Sequence, residues 1–156
     1  MRGLILHKGE TYYSKFGLVF QEIEELAKEY NWLVSYPECY PENIDCQEIF
    51  NKNYIWLSGD ELLQILREEN FQWIWGVLSG FDKSIQLEDI LKEPLPDAEN
   101  EDVWKNPLTI QHSLATIEIM AWDSSYSLFI SKNDAIIEKI SIIYPLAEDL
   151  EEYNAE

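Results

Sequence analysis

Two histidines and two cysteines are the scarcest chemically versatile side chains here, and their placement limits what they can do. His7 ends one apolar run and His112 precedes another. Either of them, beside a carboxylate, would have the pKa range of a general base. Cys39 and Cys46 are separated by six residues, with both histidines far off in sequence, which does not match the ligand spacing of a zinc site. They read as reduced, partly buried thiols. Thirty acidic residues make carboxylate pairs unavoidable, and no Asp-x-Asp-x-Asp-Gly loop orders them for a hard cation. Asp123-Ser124-Ser125 offers hydroxyls, but its neighbours make it a hairpin turn. A Gly-x-Ser-x-Gly elbow, a phosphate-cradling loop and a Rossmann fingerprint are all missing, and six glycines leave little material for one. No residue is assigned a catalytic or metal-ligating role, and no cofactor is expected.

Charge says more than motif. Eleven Lys and Arg face 30 Asp and Glu among 156 residues, a formal net charge of −19. That balance speaks against direct nucleic-acid binding, which needs clustered cations, and against docking on anionic lipid. The acids are also concentrated beside aromatic residues. Glu38, Glu42, Asp45 and Glu48 surround Tyr40 with no cation among them. Seven acids lie between Glu88 and Asp102 against Lys92 alone, and Trp104 follows. Five more lie between Glu148 and Glu156, with Tyr153. Where such segments converge, several kT of negative potential attract a basic protein and raise its association rate. Tyr and Trp are the residue types that most often anchor protein interfaces. The expected partner-binding residues are therefore Glu38, Tyr40, Glu42, Asp45 and Glu48, with Asp97, Glu99, Glu101, Asp102 and Trp104.

The elements that must position these residues follow from periodicity. Gly3–His7 is a short apolar strand. Ser14 is expected to open a helix whose stripe is Phe16, Val19, Phe20, Ile23, Leu26, Ala27 and Tyr30. Trp32–Tyr36 reads as a strand, Glu38–Asn53 as irregular, and Tyr54–Leu57 as another strand. Ser58-Gly59-Asp60-Glu61 forms a capping box opening a helix on Leu62, Leu63, Ile65 and Leu66. Phe71–Leu78 suits a pleated surface; alternation puts Phe71, Trp73 and Trp75 on one face, and Gly76 suits a bulge or a close backbone approach. Ser84–Lys92 makes a short helix. Residues 93–107 form an acidic loop whose length points to function or to disorder. Thr116–Trp122 alternates, with Ile117, Ile119 and Ala121 opposite Glu118, Met120 and Trp122. Tyr126–Ile130 returns as its hairpin partner, Asn133 caps a last helix, and residues 148–156 form an acidic tail. One α+β domain over residues 1–156 is predicted, with a mixed or mainly antiparallel sheet and helices packed mainly on one face. No apolar run reaches the ~20 residues of a membrane span, and Met1–Lys8 is too short for a signal peptide, so a cytoplasmic location is expected.

Four stretches carry a resemblance: Met1-Arg2-Gly3-Leu4-Ile5, Asn31-Trp32-Leu33-Val34, Trp75–Phe81 and Ala121-Trp122-Asp123-Ser124-Ser125-Tyr126. They are similar to small bacterial domains of the Bacillus type. The acidic α+β outline resembles the immunity proteins that bacteria pair with polymorphic or contact-dependent toxins. That resemblance implies an inhibitor that binds a cognate toxin domain, often a basic nuclease, and blocks its active site or substrate contacts. It assigns no role to a particular residue and leaves the oligomeric state open. Two other classes stand beside it: a small enzyme using His7 or His112 with a carboxylate, and a DNA-mimicking inhibitor of a nucleic-acid enzyme with carboxylates in phosphate-like rows.

Overall fold

Two apolar faces on the interior strands determine the architecture. Leu4-Ile5-Leu6 and Trp32-Leu33-Val34 are continuous apolar runs, so alternate side chains must be buried on opposite sides of a sheet. In the computed structural model, which describes residues 1–156, these runs lie within one open sheet of seven antiparallel strands. The strands are β1 (Arg2–Leu6), β2 (Tyr30–Cys39), β3 (Tyr54–Ser58), β4 (Trp73–Asp82), β5 (Ile117–Trp122), β6 (Tyr126–Ser131) and β7 (Glu148–Asp149). Their spatial order is β3-β2-β4-β5-β6-β1-β7. The fold is α+β, as the sequence predicts. No helix is long and apolar enough to cross a membrane.

One face carries the main core of 28 buried residues. It is covered by α1 (Gly17–Glu22), α2 (Glu24–Ala27), α3 (Ile44–Phe50), α4 (Gly59–Glu68) and α6 (Asp134–Ile143). Ile117, Ile119 and Ala121 point into this core, as the alternation of β5 predicts. The Ser58–Glu61 capping box forms reciprocally, and Asn43 and Asn133 cap α3 and α6. Gly59 starts α4 where a Cβ would lie 2.3 Å from the Ala27 carbonyl oxygen, so only glycine lets α4 approach α2 so closely.

The opposite face is covered too, by the long segment between β4 and β5 together with the C-terminal α7 (Leu150–Asn154). Two smaller clusters lie beneath it, one around Val77, Met120, Leu128 and Val103, the other around Leu33, Phe81 and Ile90. The segment contains α5 (Leu87–Ile90) and a 3₁₀ turn at Glu101–Trp104, and Ala98, Val103 and Leu108 anchor it to the sheet. Residues 93–107 therefore have a structural task, and this explains their length.

Four expectations need correction. Ser14 does not cap the first helix. Its φ is +58°, its hydroxyl donates to the Trp73 carbonyl at 2.6 Å, and the helix begins at Gly17 and breaks at Ile23. Residues 38–53 are not irregular throughout, because Asn43 nucleates α3 two residues beyond Pro41. Phe71, Trp73 and Trp75 do not share a face. Trp73 enters the main core and Trp75 the opposite side, because the β2–β4 register shifts between Ser35 and Cys39. Gly76, at φ +154°, sits at that irregularity, the bulge of its two expected roles. Residues 148–156 are no loose tail: β7 pairs with β1, and Leu150 is fully buried.

Candidate functional site

The β2 bulge determines what meets on the loop-covered side. It turns Tyr36 (φ +47°), Pro37 and Glu38 outward at the point where β4 presents Trp75 and Gly76. The loop then brings Asp97, Ala98 and Glu99 against them, and together with Lys52 and Asn53 these residues line a depression of about 460 Å³. Pro37 and Glu38 also wall a second depression of about 420 Å³, shared with Tyr40, Gln47, Glu48 and Phe50. Glu99 also walls a third of about 500 Å³, with Glu101, Trp104, Lys105 and Trp122. Neighbouring depressions share walls, Pro37 and Glu38 in one case and Glu99 in the other, so the three adjoin as a groove from Tyr40 and α3 past Glu38 and Glu99 to Trp104 and Trp122.

The loop wall of this groove is fixed from below. Glu118, fully buried on β5 opposite Ser79 and Ile130, accepts the Gln111 backbone N–H at 2.7 Å and the Ser79 hydroxyl at 3.4 Å. The Gln111 side-chain oxygen accepts the Asp97 N–H at 2.8 Å, while its NH₂ donates to the Asp97 carbonyl at 2.9 Å. Asp97 in turn accepts the Glu99 N–H at 3.0 Å. A chain of hydrogen bonds thus runs from a core carboxylate to the groove acids. Burial pushes the Glu118 carboxyl up to about 7, against the lowering effect of its hydrogen bonds. Ser35 adds a further peg, its hydroxyl donating to the Pro96 carbonyl at 2.6 Å.

Glu38, Glu48, Asp97, Glu99 and Glu101 all line the groove, and none of them forms an ion pair. Most cations that pair are engaged elsewhere: Arg2 with Glu138, Lys8 with Glu148, Lys28 and Arg67 with Glu24, and Lys92 with Asp89. Asp102 alone among the ten expected residues is paired, with Lys105 at 2.9 Å. Tyr40 is 74% exposed at one end of the groove, and Trp104 is half-buried at the other. Glu42 and Asp45 lie off the groove. The Glu42 and Asn43 N–H groups are held by the Glu69 carboxylate, and Asp45 faces a separate depression beside Glu68 and Glu69.

Behind Trp104 stands an aromatic cluster that the sequence did not assemble. Trp104 meets Trp122 at 5.5 Å, Tyr126 at 5.8 Å and Tyr153 at 6.2 Å between ring centroids. Trp75 meets Trp122 at 5.4 Å. Tyr153 brings the third acidic segment to the same place, and burial raises its phenol above the ordinary value. Only Trp32 and Trp73 of the six tryptophans are sealed inside.

The histidines sit differently. His112 is buried, its Nε2–H donates to the Ile90 carbonyl at 2.8 Å, and its Nδ1 accepts the Leu114 N–H at 3.1 Å. Both ring nitrogens are thus engaged in pinning the loop. His7 pairs with Glu148 and packs edge-on against Tyr153 at 5.4 Å. This hydrogen bond, with that from Lys8, holds the Glu148 carboxyl below the usual carboxylate range. Neither histidine lines a depression that also holds groove acids. Burial pushes the thiols of Cys39 and Cys46 up to about 12 and about 11, which keeps them protonated and unreactive at neutral pH. No group of three or more His, Cys, Asp or Glu side chains is placed to hold a metal ion.

No family model, no curated protein and no solved structure matches this chain.

Proposed function

We propose that this chain is an immunity-type binding protein that neutralises a basic toxin domain in the cytoplasm. The observation that supports this reading best is the groove itself. Five carboxylates without ion pairs and five half-buried or exposed aromatic side chains line its adjoining depressions, and of the chain's eleven Lys and Arg only Lys52 and Lys105 line them too. Uncompensated negative charge on a folded exterior costs self-repulsion, which a cationic partner relieves on binding. Charge steers such a partner in, and buried aromatic contacts set how long it stays. On a nuclease the carboxylates would occupy the place of substrate phosphates.

The test pairs the chain with a basic toxin domain encoded beside its gene. The wild-type chain protects cells that express the toxin. Glu38→Lys with Glu99→Lys slows association by roughly tenfold or more at low salt and flattens its salt dependence. Unchanged association kinetics in the double variant would overturn the reading.

A further inference from the structure

The Trp104 end of the groove has a chemistry more specific than negative charge. From its geometry we infer that this end is a receptor for a single arginine side chain of the basic partner, a step that rests on the binding reading above. Trp104 and Trp122 stand edge to face, 5.5 Å apart at 87°, as two perpendicular walls of a depression of about 500 Å³. Their positions are set in advance. Trp122 is backed by Trp75 at 5.4 Å and Tyr126 at 5.3 Å, and Trp104 by Tyr126 and Tyr153. Rings held in place lose little conformational freedom when a ligand enters.

Glu99 and Glu101 line the same depression, are exposed, and form no ion pair. Lys105 lines the depression too, with its ammonium paired to Asp102 at 2.9 Å, and leaves both of these carboxylates without an ion pair. Two carboxylates next to two indole walls fit a guanidinium better than an ammonium. The guanidinium is planar and weakly hydrated, stacks on an indole face, and directs a fork of N–H donors at carboxylates. A lysine ammonium can take the charge contact but gives up a tightly held hydration shell for it. The occupant is thus arginine, seated with its plane against one indole and its N–H groups toward Glu99 and Glu101.

The test is a titration of the full chain with N-acetyl-Gly-Arg-Gly-amide at constant ionic strength, followed by NMR on the six tryptophan indole N–H signals. The signals of Trp104 and Trp122 shift saturably, and those of Trp32 and Trp73 stay where they are. The corresponding lysine peptide binds several-fold more weakly, and a glutamate peptide leaves the signals unmoved. Glu99→Gln with Glu101→Gln, two exposed positions whose folded spectrum is its own control, weakens arginine binding roughly tenfold. Equal shifts with the lysine peptide, or undiminished affinity in the Gln double variant, would sink the arginine assignment. The toxin reading fails separately: an arginine peptide that binds as described to a chain that protects no cell leaves the receptor standing and removes the toxin.

Discussion

The two faces of the sheet are stabilised in different ways. The helix-covered face buries one contiguous set of aromatic and aliphatic side chains, with Phe20 against Trp32 at 5.0 Å and Phe50 against Trp73 at 5.1 Å. The loop-covered face divides its apolar residues into two small clusters and adds Ser79, Gln111, His112 and Glu118 between them. Apolar burial is non-directional and tolerates any close packing, whereas hydrogen bonds fix particular atoms in particular places. The first face supplies stability. The second sacrifices some of it to hold a loop in one conformation, and leaves tryptophans half-buried at its rim.

The largest effect that could break this contrast is a truncation on each side. Phe20→Ala is expected to cost about 3–5 kcal/mol, because a rigid helix layer cannot close over the cavity. Leu108→Ala, also almost fully buried but under a loop that can settle inward, is expected to cost about 2 kcal/mol, the low end for such a change. Equilibrium urea unfolding compares the two. A loop-side loss equal to or larger than the helix-side loss would show that both faces are packed alike.

Next in size is the pH response of Glu118. Its folded value, about 7, lies above the ordinary 4.5, so the folded state holds a proton that the unfolded state has released between these limits. Stability from this group is therefore fully present below about pH 4.5, falls as pH rises toward 7, and stays low above it, a swing of up to about 3 kcal/mol. Carboxylates such as Glu148 and Glu93, held below their usual range by hydrogen bonds, act oppositely and lose their contribution only in more acidic solution. Glu118→Gln removes the fall between pH 5 and 7 in denaturant midpoints measured across that range. A wild-type profile that is flat there, and unchanged by the substitution, would remove Glu118 from its place as a buried titrating anchor.

The same division explains what could be read in the sequence. Capping signals are local, so Ser58–Glu61, Asn133 and the Asp123–Ser125 turn are visible as residue types at fixed spacing. The period-two pattern of β5 is equally local. The β2 bulge is not: whether Trp75 follows Trp73 or crosses to the other face depends on a register shift between strands forty residues apart. Ser14 resembles a helix start, yet long-range bonds to Trp73 and Ser127 hold it at positive φ. In the groove, charge imbalance pointed to Glu38, Glu99 and Glu101. Trp75, Trp122 and Gln111 join them only through tertiary contact. The one local hint was an acidic residue, Glu118, between Ile117 and Ile119 in the middle of a buried strand.

The smallest effect on stability is also the sharpest test of the groove's purpose. Glu38 and Glu99 are exposed and make no ion pair, so replacing both by glutamine removes no contact that the fold uses. Surface changes of this kind stay within about 0.5 kcal/mol, and here the sign should be slightly stabilising, since two like charges sharing one depression repel. Adding salt to the wild-type chain should give part of the same gain by screening, and less of it in the double variant. If instead the double variant loses more than about 1 kcal/mol in urea unfolding, these carboxylates are structural groups of the loop-covered face. Stability unharmed together with weakened capture of a basic partner is the combination that separates a binding surface from a merely acidic one.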